Sequence, residues 1–256
     1  MAKTKSKNKL VLTVTNQQTL VDYLKRFKPL GEMLLLEIDE HQLSARQATS
    51  EHTTLKGAYI PLPTVFEGDV QEGVFRLGIF NIVKLVDSFG HFGPADVIKF
   101  EVDFYEHSEG VYVGTKIALS SKSVQINQQC ADLTLMSDVS EKVVASIVNQ
   151  IEKNQLGKFT ISREEFSKLQ KLSSKLNDKD DAISLKVENG HVSFECNAFT
   201  MKIDTDKSEG EDAEMSLNSQ KLNHADPDRS EIIFAEDKVL VRSLENNTLV
   251  ILGGIS

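Results

Sequence analysis

Residues 158–196 leave the chain few ways to fold. Residues 158–161 alternate polar and apolar, as a short strand does. Ser162 stands three residues before Glu165, the capping-box spacing that starts a helix. Phe166, Leu169, Leu172 and Leu176 then recur every three or four residues and share one helix face. Lys168, Lys171 and Lys175 recur the same way. At about 100° per residue they fill an arc of about 60° away from the apolar stripe. Residues 182–187 and 192–196 alternate as strands around Asn189-Gly190, a hairpin signal because both residues tolerate positive φ. The stretch reads strand, helix, hairpin, with leucines facing a sheet and lysines facing out. Plain solvation also produces lysine stripes, so the meaning of this one depends on the rest of the chain.

The same order occurs earlier. Residues 10–14 alternate as a strand. Residues 16–28 form a helix with Leu20, Leu24 and Phe27 on one face, ended by Pro29 and Gly31. Strands follow at 33–38 and 42–47, joined by Asp39-Glu40-His41, and at 55–60, with Pro61 and Pro63 breaking the pattern. A short extended run at 73–77 leads to a helix over 79–89, packed by Ile79, Ile82, Val83, Val86 and Phe89 and stopped by Gly90, Gly93 and Pro94. Strands at 97–104, 111–118 and 123–127 close the half. After residue 158 each element has an answer: strand 199–203, a loop over 204–214, a short helix at 218–225, and strands at 232–234, 238–241 and 248–252. Residues 137–157 lie between, with Val143, Val144, Ile147, Val148 and Ile151 at helical spacing. The expected class is α+β: two similar units of antiparallel sheets with two helices each, 1–136 and 158–256, around a connector at 137–157 with its own amphipathic helix.

Charge is placed unevenly. The 256-residue chain carries a net charge of −9. Helix 16–28 has Lys25, Arg26 and Lys28 against Asp22; helix 79–89 has Lys84 against Asp87; helix 163–176 adds Arg163 to its three lysines against Glu164 and Glu165; helix 218–225 has Lys221. Together these helices carry +5 and the remainder −14. If they line one surface, that surface attracts a polyanion that the exterior repels, through contacts to phosphate that carry no sequence information. No aromatic residue stands among the basic ones, so double-stranded DNA fits better than a stacked single strand.

The element order, taken twice in about 250 residues, resembles the DNA sliding clamps. Two stretches look closest to the clamps of tailed bacteriophages: Phe159-Thr-Ile-Ser-Arg-Glu-Glu-Phe-Ser-Lys-Leu-Gln-Lys-Leu-Ser-Ser174 and Ala182-Ile-Ser-Leu-Lys-Val-Glu-Asn-Gly-His-Val-Ser-Phe194. The resemblance implies the DNA-clamp fold, in a closed ring of six units made by a homotrimer around duplex DNA. Such a ring is a processivity factor that tethers a DNA polymerase and is opened by an ATP-driven clamp loader. The DNA-facing positions it implies are Lys25, Arg26, Lys28, Lys84, Lys168, Lys171, Lys175 and Lys221. A pocket for a partner's hydrophobic peptide falls beside the connector, at Val144, Ile251 and Leu252. Clamps cross between units by an extended loop, whereas residues 137–157 read as partly helical.

Catalysis and metal binding find little support. His41, His52, His91, His107, His191 and His224 show no ligand spacing. Nucleophile-elbow, phosphate-loop and dinucleotide motifs are absent. The acidic run at 204–214 fails the calcium-loop template, with Glu209 at its sixth position and Met215 at its twelfth. Gly90-His91-Phe92-Gly93 reads as a helix-ending turn. Cys130 and Cys196 read as reduced, small hydrophobes. No apolar run reaches the length of a membrane span, and Lys3, Lys5, Lys7 and Lys9 precede too short an apolar run for a signal peptide. The expectation is therefore a soluble protein of the cytoplasm, that of the bacterial host if phage-encoded, without enzymatic activity, metal or cofactor. The rival reading is a viral structural or scaffolding protein built from duplicated β-rich units.

Overall fold

The computed structural model describes residues 8–136, 140–176, 181–205, 209–210 and 212–254. Lys3, Lys5, Lys7, Asp206 and Glu211 lie outside them. The first half contains β1 (Asn8–Val14), α1 (Gln17–Lys25), β2 (Leu34–Ile38), β3 (Gln42–Ala48), β4 (Thr54–Pro61), α2 (Leu62–Val65), β5 (Phe66–Glu67), β6 (Val74–Ile79), α3 (Ile82–Phe89), β7 (Lys99–Ser108), β8 (Val111–Ser120) and β9 (Gln125–Gln129). Between the halves in sequence stands α4 (Glu141–Lys153), which belongs to the second compact unit. The second half contains β10 (Gly157–Ile161), α5 (Arg163–Leu176), β11 (Ala182–Glu188), β12 (His191–Glu195), β13 (Thr200–Ile203), β14 (Glu209–Gly210), β15 (Ala213–Asn218), a 3₁₀ helix (Ser219–His224), β16 (Ser230–Phe234), β17 (Lys238–Ser243) and β18 (Thr248–Gly253). Two compact units result: Met1–Gln47 with Tyr59–Asp138, and Ala48–Ala58 with Val139–Ser256.

The duplication expected from element order extends to strand pairing. In the first unit β1 pairs with β5 and β7, β7 with β8, β8 with β9, and β2 with β3 and β6. In the second, β10 pairs with β14 and β16, β16 with β17, β17 with β18, and β11 with β12 and β15. Each of these six pairings has its counterpart. One difference is a parallel pairing of β6 with β8, at Val74↔Val111. It requires glycines: a Cβ on Gly73 would sit 2.4 Å from the carbonyl oxygen of Gly110, and both residues have positive φ.

Local chemistry explains the helix starts. Asn16 and Asn81 accept hydrogen bonds from the backbone of Thr19 and Lys84 at 3.0 and 2.7 Å. The capping box before α5 closes in both directions: Glu165 N donates to Ser162 Oγ at 3.3 Å and Ser162 N to Glu165 Oε2 at 3.2 Å. Asn189 and Gly190 have φ of 51° and 77°, as a hairpin turn of this kind needs.

Four expectations are corrected. The helix placed at 79–89 starts at Ile82, because Ile79 pairs with Leu34 in β2 and Asn81 supplies the cap; Leu85 is buried, while Val83 is exposed. In place of the α-helix expected at 218–225 stands a 3₁₀ helix, Ser219–His224, since β15 holds the chain extended through Asn218. Leu62–Val65 is a helical turn, with Pro63 in its first turn, where a missing N–H costs nothing. Within 204–214, Glu209–Gly210 pairs with β10 and Ala213 already belongs to β15.

The core of the second unit gathers Phe159, Phe166, Leu169, Leu185, Phe194, Met215, Leu222 and Phe234 from both sheets and both helices. This unit also includes residues 54–58, which pair with β18 from Thr248↔Ala58 to Leu252↔Thr54. There Lys56 is 1% exposed, and its Nζ donates to Asp226 Oδ1 at 2.7 Å and to the carbonyl of His224 at 3.1 Å. Replacing Asp226 by Ala strands a buried ammonium. The expected loss is about 3–5 kcal/mol in urea unfolding, with most of it recovered by pairing Asp226→Leu with Lys56→Met.

Candidate nucleic-acid interface

In the second unit α5 is the strongest basic element. Phe166, Leu169 and Ser173 are fully buried, while Lys168, Lys171 and Lys175 are exposed. Among the described residues none of these three lysines has an ion pair within 4 Å. They line one shallow depression together with Ser167, Leu172 and Leu176. The helix is fixed from below. Gln170 Nε2 donates to the carbonyls of Leu222 and Ala225, both at 2.8 Å, tying α5 to the 3₁₀ helix. Ser174 Oγ reaches Asn223 at 3.1 Å.

Arg163 differs from the lysines. Its guanidinium donates to Asp228 at 3.3 Å and to Glu245, so its charge pins the start of α5. Lys221 is half-buried, with Nζ donating to the carbonyl of Gly253 at 2.9 Å, and desolvation lowers its pKa. Its charge is directed at the end of β18.

In the first unit α1 and α3 lie together, with Gln17 Nε2 donating to the carbonyl of Phe89 at 2.8 Å. Lys25 is exposed in the last turn of α1, 3.8 Å from Asp22. Arg26 and Lys28 follow it and are half-buried. Lys84 is exposed on α3, above a depression it shares with Glu32, Asp87 and His91. The first unit therefore offers its cations at the end of one helix, the second along the length of another.

Val144 of α4 and Ile251 of β18 belong to one buried cluster with Leu55, Ile151, Ile233, Ala235 and Leu240. Leu252 is on the opposite face of β18, within the core between the sheets. Strand alternation dictates this separation. The sequence signal of Lys56 is a single lysine at an inward position of an apolar strand. Burial pushes the Cys130 thiol up to about 12, which leaves it a poor nucleophile. Among the described residues no three His, Cys, Asp or Glu side chains gather as a metal site would require. Among the described residues no helix is long and apolar enough to cross a membrane.

No family model matches the chain, and no curated protein does. Solved structures do. A. fulgidus PCNA, in a structure with the C-terminal region of FEN-1, superposes with a TM-score of 0.67 at 11% identity over 96% of this chain and 99% of that one. Entamoeba histolytica PCNA gives 0.68 at 12% identity, over 96% and 98%. A putative DNA polymerase III beta subunit from Eubacterium rectale gives 0.68 at 11% identity, covering 100% of this chain and 68% of that one. The fold is that of these clamps, an α+β architecture of large antiparallel sheets and few helices.

Two carboxylates that hold α5 have pKa values below the ordinary range. For Glu165, burial raises the pKa, but hydrogen bonds from Ser162 and from the backbone of Asp204, with the nearby charge of Lys168, outweigh it. For Glu245 the main cause is Arg163. A depressed carboxylate adds stability above its ordinary pKa, about 4.3 for Glu, and loses it as pH falls through the folded-state value. Glu165→Gln keeps the capping box and removes the titration. Its urea midpoint is expected to fall less steeply than that of the parent between about pH 5 and pH 3.

Proposed function

We propose that this chain is a sliding clamp: copies join head to tail into a ring that encloses duplex DNA and holds a polymerase on its template. The observation that carries the reading is the duplicated pairing scheme with one joint inside the chain. β18, the last strand of the second unit, pairs with residues 54–58 of β4. The counterparts of β18 and β4 in the duplication are β9 and β13. Among the described residues β9 pairs only with β8, and β13 only with β12. Pairing β9 of one copy with β13 of the next repeats the internal joint between chains, and each addition leaves the same two edges. Such heterologous contacts close into rings when the rotation allows. Three copies supply six units, the number implied by the resemblance to clamps. Pairing also removes edges that otherwise invite aggregation.

The charge pattern supports the same reading. Lys168, Lys171 and Lys175, with Lys25, Arg26, Lys28 and Lys84, would line the hole and hold phosphates without reading bases. Lys221 joins them only through its partly buried charge. The chain acts by topology and not by catalysis. Its partners on this reading are duplex DNA, a polymerase and an ATP-driven loader. In one of the similar structures PCNA is bound to the C-terminal region of FEN-1. By analogy a short partner segment docks here at the α4 side of the second unit, near Val144 and Ile251.

Rings closed by cross-linking after loading are expected to stay on nicked circular DNA and to run off linear DNA. Lys168→Glu, Lys171→Glu and Lys175→Glu together are expected to weaken retention on DNA at low salt by at least tenfold and to leave the oligomer intact. Equal loss from circular and linear DNA, or indifference of binding to these reversals, would overturn the reading. Assembly into tubes or shells without affinity for DNA would favour the scaffold.

A further inference from the structure

The duplication sets a pairing problem. It gives the chain two sets of corresponding edges, β4 with β13 and β18 with β9, and among the described residues only β4 and β18 are joined to each other. Backbone N–H and C=O groups are alike on all four edges and do not select a partner. The two edges that could approach β4 also look alike on the core face. There β9 carries Ile126 beside the buried Leu119, and β18 carries the buried Val250 beside Val241.

The receiving edges differ. In β13 the core-facing residues are Met201 and Ile203, both apolar. In β4 the residue opposite Val250 is Lys56, 1% exposed. β18 is tolerated over this lysine because its own unit brings an acid. Lys56 Nζ donates to Asp226 Oδ1 at 2.7 Å and to the carbonyl of His224 at 3.1 Å. Asp226 Oδ2 is buried with no hydrogen-bond partner among the described residues, so the carboxylate depends on the lysine as the lysine depends on it. The first unit offers no such acid. After α3, the counterpart of the 3₁₀ helix, the chain runs Gly90-His91-Phe92-Gly93-Pro94, and the next carboxylate, Asp96, accepts from Gly93 N at 2.7 Å. Glu32 and Asp87 share a depression with Ile126 but are exposed.

We propose that Lys56 guards the edge of β4, admitting β18 with Asp226 and refusing β9. On an open edge the ammonium is in water and costs little. A strand that covers it without a buried carboxylate strands the charge, and inward-pointing charges are one way that sheets keep edges from wrong partners. β9 comes to β4 without a buried acid, whereas β13 would meet it with methionine and isoleucine. One ammonium thus holds the joint within the chain and keeps the other edge out of it. β4 and β9 both precede β18 in the chain, so the guard matters most before β18 has been made or has folded. The inference rests on the joining proposed above for the place of β9 between copies, on β13. The guard on β4 is a property of the second unit itself.

Refolding of the full chain by dilution from urea, followed by sedimentation, tests it. The parent is expected to return to the species it shows before unfolding. Lys56→Met with Asp226→Leu removes the guard and leaves an apolar joint. The fraction of chains in species heavier than any of the parent's is expected to rise about tenfold or more, since a stranded buried charge is worth at least that factor. Lys56→Gln with Asp226→Asn removes both charges, keeps polar groups in place and is expected to do the same; urea unfolding of the two double variants checks that they fold. Adding Ile126→Lys, which puts an inward charge on β9, is expected to remove the heavy species again. Their absence from the folded double variants, or their persistence with Ile126→Lys, would overturn the proposal. A parent of one chain mass whose double variants grow would contradict the ring and support the guard. A parent of three chain masses whose double variants do not grow would spare the ring and remove the guard.

Discussion

Backbone hydrogen bonding between Thr248–Leu252 and Thr54–Ala58 is the constraint on which the rest depends. A strand edge must find partners for its N–H and C=O groups or leave them to water and to chance neighbours. This chain meets the requirement once internally, by lending residues 48–58 to the second unit. Lys56, buried against Asp226, fastens that loan with a charge that would be costly to leave alone. The same scheme leaves β9 and β13 with one neighbour each among the described residues. On the proposed reading these two edges are where one copy joins the next.

Electrostatics follow from the same duplication. An overall charge of −9 coexists with a helix that turns three lysines outward, none with an ion pair within 4 Å among the described residues. The copies have diverged, however. Arg163 and Lys221 lie on basic helices, yet their charges hold Glu245, Asp228 and the carbonyl of Gly253. The second unit also carries an apolar cluster shared by α4 with Ile233, Leu240 and Ile251 of its sheet.

Much of this was legible in the sequence because the signals were local. Ser162 with Glu165, Asn189 with Gly190, and the apolar spacing of α5 each act within a few residues, and all three elements stand where those signals put them, although Leu176 at the end of the stripe is exposed and not packed on the sheet. The connector helix was likewise visible as an apolar stripe. What was not legible depended on distant partners. Ile79 is apolar and at helical spacing, but pairing with Leu34 keeps it in a strand. The stretch 218–225 has a helical composition and is wound more tightly between β15 and the core. The ion pair of Lys56 spans 170 residues, and no window along the chain contains both members. Of the basic residues, only coordinates separate those engaged with acids from those that face outward.

The most direct test of the joint is the mass of the protein in solution, by sedimentation across a wide concentration range. Self-complementary edges that close predict a species of three chain masses and no growth beyond it. A single-chain mass at every concentration, or unlimited growth into polymers, would contradict the claim that β9 and β13 meet between copies.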